Sequence, residues 1–479
     1  MKSTLQIISK AGQYIWLAVM AMVLLWSNSA DAVPSFARQT GMACAACHTV
    51  FPELTPFGRQ FKLNGYVISN LKTIKDITLN KEDILELNAM PPISFMFQTS
   101  VTSTNKALPD ANIPGHLAQD GTFEFPQQAS IFFAGAISPK IGAFVQATYS
   151  SASGTFGFDN TDLRFADNLS NENRDFVYGI TLNNNPTVQD VWNSTPAWGF
   201  PFEGPDAAPT PAAATRIDGS LAQNVGGASA YLWWNNALYA EAGVYRTSPQ
   251  GFQNGTTGGN GPIDSSAVDP MNGVAPYWRL AYQAQWDRHS LEVGTFGLYE
   301  EVFPTHLNPA PLVQVGANGP TDNFTDVAAD AQYQFIGDEH IFTVLTSYIH
   351  EDQDLHGSVN SAIINGLTPP NSHDTLETFK ITGNYYYHRK YGLSLGYVNT
   401  WGTTDTALYA PAPVTGSNNG SPDSDYFIAQ ATYVPWLNTK FVLQYTAYNK
   451  FNGASSNYDG SGRSASDNNT LYFLGWFNF

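Results

Sequence analysis

Only two cysteines occur in the 479 residues, Cys44 and Cys47. That excludes a disulfide-dense scaffold and a four-cysteine zinc site. Charge is also scarce. Asp, Glu, Lys and Arg make up 13% of the chain, against roughly a quarter in soluble domains. The charge present is one-sided, with 22 basic against 40 acidic residues for a net −18. Such a balance argues against nucleic acid as a partner and favours cations or a basic soluble protein. Past residue 30 there is no long apolar run. A bundle of membrane helices, each needing ~20 apolar residues, is therefore excluded.

Aromatic residues, at 14% of the chain, and glycine, with 40, are abundant. With so little charge, this mix fits a transmembrane β-barrel better than a soluble enzyme. Residues 1–32 read as a secretory signal peptide. Lys2 and Lys10 form its basic region, Ile15 to Trp26 its apolar core, and Ala30-Asp31-Ala32 its cleavage site. Export puts both cysteines in the periplasm of a Gram-negative cell.

From residue 92 to 479 the pattern has period two. Trp278, Leu280, Tyr282 and Trp286 alternate with Arg279, Gln283 and Gln285. The stretches 141–149, 379–387 and 441–447 behave alike. An apolar stripe with aromatics near its ends suits lipid, and the polar stripe suits a wet lumen. Short turns, such as Ser138-Pro139-Lys140 and Asp287-Arg288, alternate with long polar loops near 103–122, 184–224, 247–275, 303–321, 352–371, 403–422 and 452–467. This predicts an all-β barrel of about 16 antiparallel strands, porin-like, with turns periplasmic and loops extracellular. The chain ends on an aromatic, Phe479, as outer-membrane barrels do. Loop 184–224 is long enough to fold inward as a constriction. Barrels of this size often form homo-oligomers, though no interface is legible.

The segment ahead of the barrel, 33–91, carries Cys44-Ala45-Ala46-Cys47-His48. Cys-x-x-Cys-His is the attachment signature of a c-type haem. Two thiols at this spacing each form a thioether to a haem vinyl group, and the next histidine becomes the proximal iron ligand. A thioredoxin-like pair would need a βαβ context, and a zinc site further ligands; neither is present. An internal disulfide without haem is the remaining alternative. Phe51, Leu54, Phe57 and Phe61 are candidates to cover a haem face, among at most short helices. Lys81–Asn88 reads as a helical turn or two.

Methionine commonly supplies the second haem ligand. The candidates are Met42, Met90 and Met96. Met96 is favoured because its strand position faces the lumen, with Met90 second. Glu241, Glu292, Asp326 and Asp330 fall on polar-face positions and form a candidate path for Fe(II), a hard cation that carboxylates suit. His340 and His350 flank one strand and are expected to play no ligand role.

The combination resembles the fused outer-membrane monohaem cytochrome c–porins of iron-oxidising bacteria. The matching residues run from Val33-Pro34-Ser35-Phe36-Ala37-Arg38-Gln39-Thr40-Gly41, through the haem motif, to Phe57-Gly58-Arg59 and Lys62-Leu63-Asn64-Gly65-Tyr66. Asn185–Trp192 and Tyr448–Gly453 are the best matches within the barrel. The resemblance implies an Fe(II) oxidase that takes electrons from extracellular Fe(II) at one covalent haem c and passes them to a periplasmic cytochrome c or other soluble carrier. It also implies that Cys44 and Cys47 attach the haem and that His48 ligates it. The alternatives are a solute porin with a haem plug or redox sensor, and electron uptake from another extracellular donor.

Overall fold

The computed structural model describes residues 34–68, 73–75, 86–88, 91–109, 121–169, 175–247, 270–304, 319–436 and 438–479. The expected signal peptide and Met90 lie outside the described residues. Sixteen antiparallel strands, from Ile93–Thr104 to Thr470–Asn478, close into one barrel. Each strand pairs with its neighbours in sequence, and the last pairs with the first, Phe477 opposite Phe97. Phe479 completes this seam. Its N–H donates to the Phe95 carbonyl at 2.9 Å, the Phe95 N–H donates back at 2.7 Å, and the two rings stack.

The alternation in the sequence becomes the two faces of the wall. Trp278, Leu280, Tyr282 and Trp286 are exposed on the outside. Arg279 and Gln283 are buried inside. Ile93 and Phe95 point out, while Ser94, Met96 and Gln98 point in. An outward apolar belt on a closed barrel, with every strand edge paired, is the β solution to crossing lipid. Short turns cluster at one end, where the barrel also begins and ends; long connections occupy the other.

Three local expectations change. The connection 151–154 at the loop end is a tight turn. The 352–371 loop contains a helix, His356–Ile364. Glu86–Asn88 is not helical; it pairs antiparallel with Thr73–Lys75. Residues 81–85 of the expected helix lie outside the described residues.

Two pieces of the chain enter the lumen. At the turn end lie three short helices, α1 (Pro34–Thr40), α2 (Cys44–Cys47) and α3 (Pro56–Leu63). Farther in, the connection 184–224 folds into the barrel, burying Val188, Gln189, Asp190, Val191 and Trp192. Side chains on well-separated strands strap it across the lumen. Arg279 stands 3.5 Å from Asp190, and the Trp192 indole donates to Gln283 at 2.7 Å. Lys380 pairs with Asp218, and Lys440 with Glu203 at 2.9 Å.

If the outward stripe meets hydrocarbon, Leu280→Arg, near the middle of its strand, is expected to destabilise the barrel by about 2–4 kcal/mol. Denaturant unfolding in lipid vesicles measures this; a change within ~0.5 kcal/mol contradicts a lipid-facing Leu280.

Candidate functional site

The haem motif is held by local capping and by the barrel wall. Cys44 and Cys47, three residues apart on α2, share one helix face. The His48 N–H donates to the Cys44 carbonyl at 2.8 Å. Thr55 caps α3: its hydroxyl accepts from the Gly58 N–H at 3.1 Å and donates to the Ala46 carbonyl at 2.6 Å. Pro56 then fits the first helical turn, where its missing N–H costs nothing. Position 58 has no room for a side chain, since a Cβ there would lie 2.1 Å from the Cys47 carbonyl oxygen. Gly142 does the same for the wall, where a Cβ would lie 2.0 Å from the Gly65 oxygen.

Long-range contacts fix the segment within the barrel. Arg59 is buried and donates to Gln283, Ser290, Gln332 and Gln334 on three strands. Glu53 accepts from Thr343 at 2.8 Å, Thr49 at 3.0 Å and Asn384 at 2.5 Å. Burial pushes the Glu53 carboxyl up against those hydrogen bonds. From a tight turn at the rim, Arg389 donates to the His48 carbonyl at 2.8 Å.

Two cavities meet at the motif. The inner one, about 920 Å³, has Cys44, Cys47, His48, Phe51, Leu54 and Phe61 on the segment side. Asp190, Asn193 and Trp198 of the inward loop form its far side. The rim cavity, about 510 Å³, shares Cys44, His48 and Phe51 and adds Arg389, Lys440 and Trp476. His48 therefore stands in the partition between the barrel interior and its turn-end rim. Phe57, expected to cover the haem, is exposed and lines neither cavity.

The residues fit a covalently attached haem on three counts. The inner cavity is mostly apolar and is lined by both cysteines and by His48. The thiols of Cys44 and Cys47 are not joined in a disulfide. His48 Nδ1 is buried and has no hydrogen-bond partner of normal geometry. Burial lowers the His48 pKa to about 4, although the Pro52 and Glu53 backbone acts the other way. The imidazole is thus neutral at physiological pH, the form that binds a metal, with backbone groups nearby to orient it.

The methionines separate. Met96 faces the lumen but lies in a cluster with Phe132, Tyr472, Leu474 and Trp476, and the Gln98 amide stands 3.7 Å from its sulfur. It lines neither cavity, whereas Met42 lines the inner one. Glu241, Glu292, Asp326 and Asp330 are all buried on the lumen face, but not as one lane. Glu292 and Asp330 share Arg279, at 3.1 and 2.8 Å. Asp326 accepts from the Ile217 N–H nearer the loop end, and Glu241 from the Tyr239 hydroxyl. Among the described residues no three acids, histidines or cysteines form a metal cluster. His340 and His350 bond to Tyr385 and Glu377, away from the cavities.

No protein-family model and no curated protein matches the chain. Among solved structures it is similar to the outer membrane channel DcaP of Acinetobacter baumannii, at 11% identity and a TM-score of 0.45, covering 81% of this chain and 96% of that one. It is also similar to an anion-selective porin from Comamonas acidovorans, at 13% identity and a TM-score of 0.44, covering 81% and 98%. OmpT of Vibrio cholerae matches at 11% identity and a TM-score of 0.42, covering 81% and 96%.

Two outcomes test the site. Gly58→Ala forces a shift costing about 1–3 kcal/mol; if a haem is attached at Cys44 and Cys47, its covalent yield is expected to fall roughly tenfold while the barrel still assembles. Haem-stained denaturing gels measure the yield; wild-type staining contradicts the packing account. In haem-free protein, His48 docking is at full strength above its ordinary pKa of 6.5 and weakens as pH falls toward about 4, because unfolding releases a ring that binds a proton more readily. Proteolysis of the segment from pH 7 to 4 is expected to rise more steeply in wild type than in His48→Gln; parallel curves contradict this.

Proposed function

We propose that the chain is an outer-membrane electron-transfer protein that oxidises extracellular Fe(II) and delivers the electrons to a periplasmic cytochrome c or another soluble carrier. The observation that carries this reading is the position of Cys44, Cys47 and His48 within the barrel, between the rim cavity and the inward loop. A haem c bound there supplies a one-electron centre inside the membrane layer, with a potential set by its axial ligands, burial and nearby charge. Cys44 and Cys47 would anchor it, and His48, as a neutral imidazole, would hold its iron. Met42 is the better distal candidate than Met96, because it lines the same cavity as His48. Phe51, Leu54 and Phe61 exclude water on one side, and the loop with Trp198 and Asn193 on the other. Arg389 keeps the motif at the rim, where a soluble carrier approaches. Asp326, Asp330 and Glu292 descend the wall from loop end to turn end, but Arg279 already offsets the lower two. Fe(II) then approaches through the loops and not along an acidic lane.

A solute channel is the second reading, favoured by the sixteen-strand barrel itself. Two measurements separate the readings. Electron transfer predicts that Fe(II) reduces the haem bands of the protein in outer-membrane preparations, that Cys47→Ala abolishes the response, and that planar-bilayer conductance stays far below that of an open porin. Porin-like conductance, with haem bands unresponsive to Fe(II), would falsify the electron-transfer reading.

A further inference from the structure

We infer that Lys62 is the carboxylate-binding residue of the inner cavity and that it receives a carboxylate of the bound haem. This rests on the haem c reading above and deepens it. Lys62, on α3, is 7% exposed and lines the inner cavity with Cys47 and His48. Its Nζ donates to the Val188 carbonyl at 2.7 Å and the Asp190 carbonyl at 2.8 Å, both on the inward loop. It stands 4.7 Å from the centroid of Trp198, another lining residue. An ammonium has three N–H donors, so one is left over.

No carboxylate among the described residues comes within 4.0 Å of that ammonium, although acids lie nearby. Each is committed elsewhere. Asp162 serves Arg164, Tyr66 and Thr181. The Asp190 carboxylate serves Thr195, the Trp192 N–H and Arg279. Glu241 holds the Tyr239 hydroxyl. Burial, and after it the Arg164 charge, lowers the Lys62 pKa to about 7.

Arg164 is matched by Asp162, and Arg279 by Asp190, Glu292 and Asp330. Arg59 has no carboxylate partner either, but four neutral side-chain oxygens take its N–H groups, whereas Lys62 has two carbonyls for three. A buried charge without a counter-charge is costly, and the cost falls when an anion arrives. A cavity that is mostly apolar and carries such an ammonium selects an apolar body bearing a carboxylate. Haem, a flat apolar ring with two propionate carboxylates, has that composition. Lys62 is then a positioning residue, and its positive charge favours the reduced iron.

The test uses the full-length holoprotein with Lys62→Met and Lys62→Arg, followed by equilibrium redox titration and circular dichroism of the Soret band. Lys62→Met is expected to shift the oxidised-to-reduced ratio about tenfold toward oxidised, a midpoint lower by about 59 mV, with altered Soret dichroism. Lys62→Arg is expected to stay near wild type. If Lys62→Met does not assemble, Lys62→Gln, which keeps donors but loses the charge, carries the same comparison. A neutral variant with covalent haem, a wild-type midpoint and wild-type dichroism overturns the inference, and leaves Lys62 as a clasp for the loop. Wild-type protein without covalent haem overturns the cofactor reading instead.

Discussion

Polar groups turned into a closed lumen need partners, and this requirement governs the molecule. Period-two alternation sends Arg, Gln, Asp and Glu inward from many strands at once. In an open channel water satisfies them. Here the chain itself supplies many of the partners, with its N-terminal segment and with the connection 184–224. Arg59 uses wall amides and a serine hydroxyl to dock α3. Arg279 uses wall and loop carboxylates together to hold the loop in place. Removing either cation would strand several buried acceptors, each costing about 1–3 kcal/mol. The haem motif inherits its position from these contacts, because α2 and α3 have little core of their own.

The barrel was legible because its signal is local and repeated. Leu280 and Arg279 announce opposite faces by adjacency alone, and this recurs on strand after strand. The inward loop was legible only as a length. Its burial depends on Asp190 meeting Arg279 and Trp192 meeting Gln283, pairs about ninety residues apart with no spacing rule. The helical reading of Lys81–Asn88 failed where Glu86–Asn88 acquired a strand partner, a contact that propensity does not record.

Cys44, Cys47 and His48 were legible as candidates from their spacing, but the cavity around them was not. Met96 does face the lumen as its strand parity requires, but parity says nothing of height or azimuth, and Met96 lies outside the cavities. The four acids share that limit: each faces inward, yet partners on other elements divide them. Lys62 had no sequence signal beyond its place in the resemblance to cytochrome–porins. One lysine near a helix end usually reads as a solvated charge. Only the loop folded over it turns it into a buried cation facing a cavity.

Solute passage and electron passage place opposite demands on such a lumen. A solute needs a continuous wet path and wall charges free to meet it. An electron needs no water; it needs a centre held away from lipid. Lys380 is paired with Asp218, Lys440 with Glu203, and Arg279 with three acids. These wall charges are thus spent on securing the inward loop. The girth of sixteen strands makes room for what lies inside. It encloses three short helices, an inward loop and a cavity of about 920 Å³, a cross-section that a narrower barrel, packed by its own side chains, lacks.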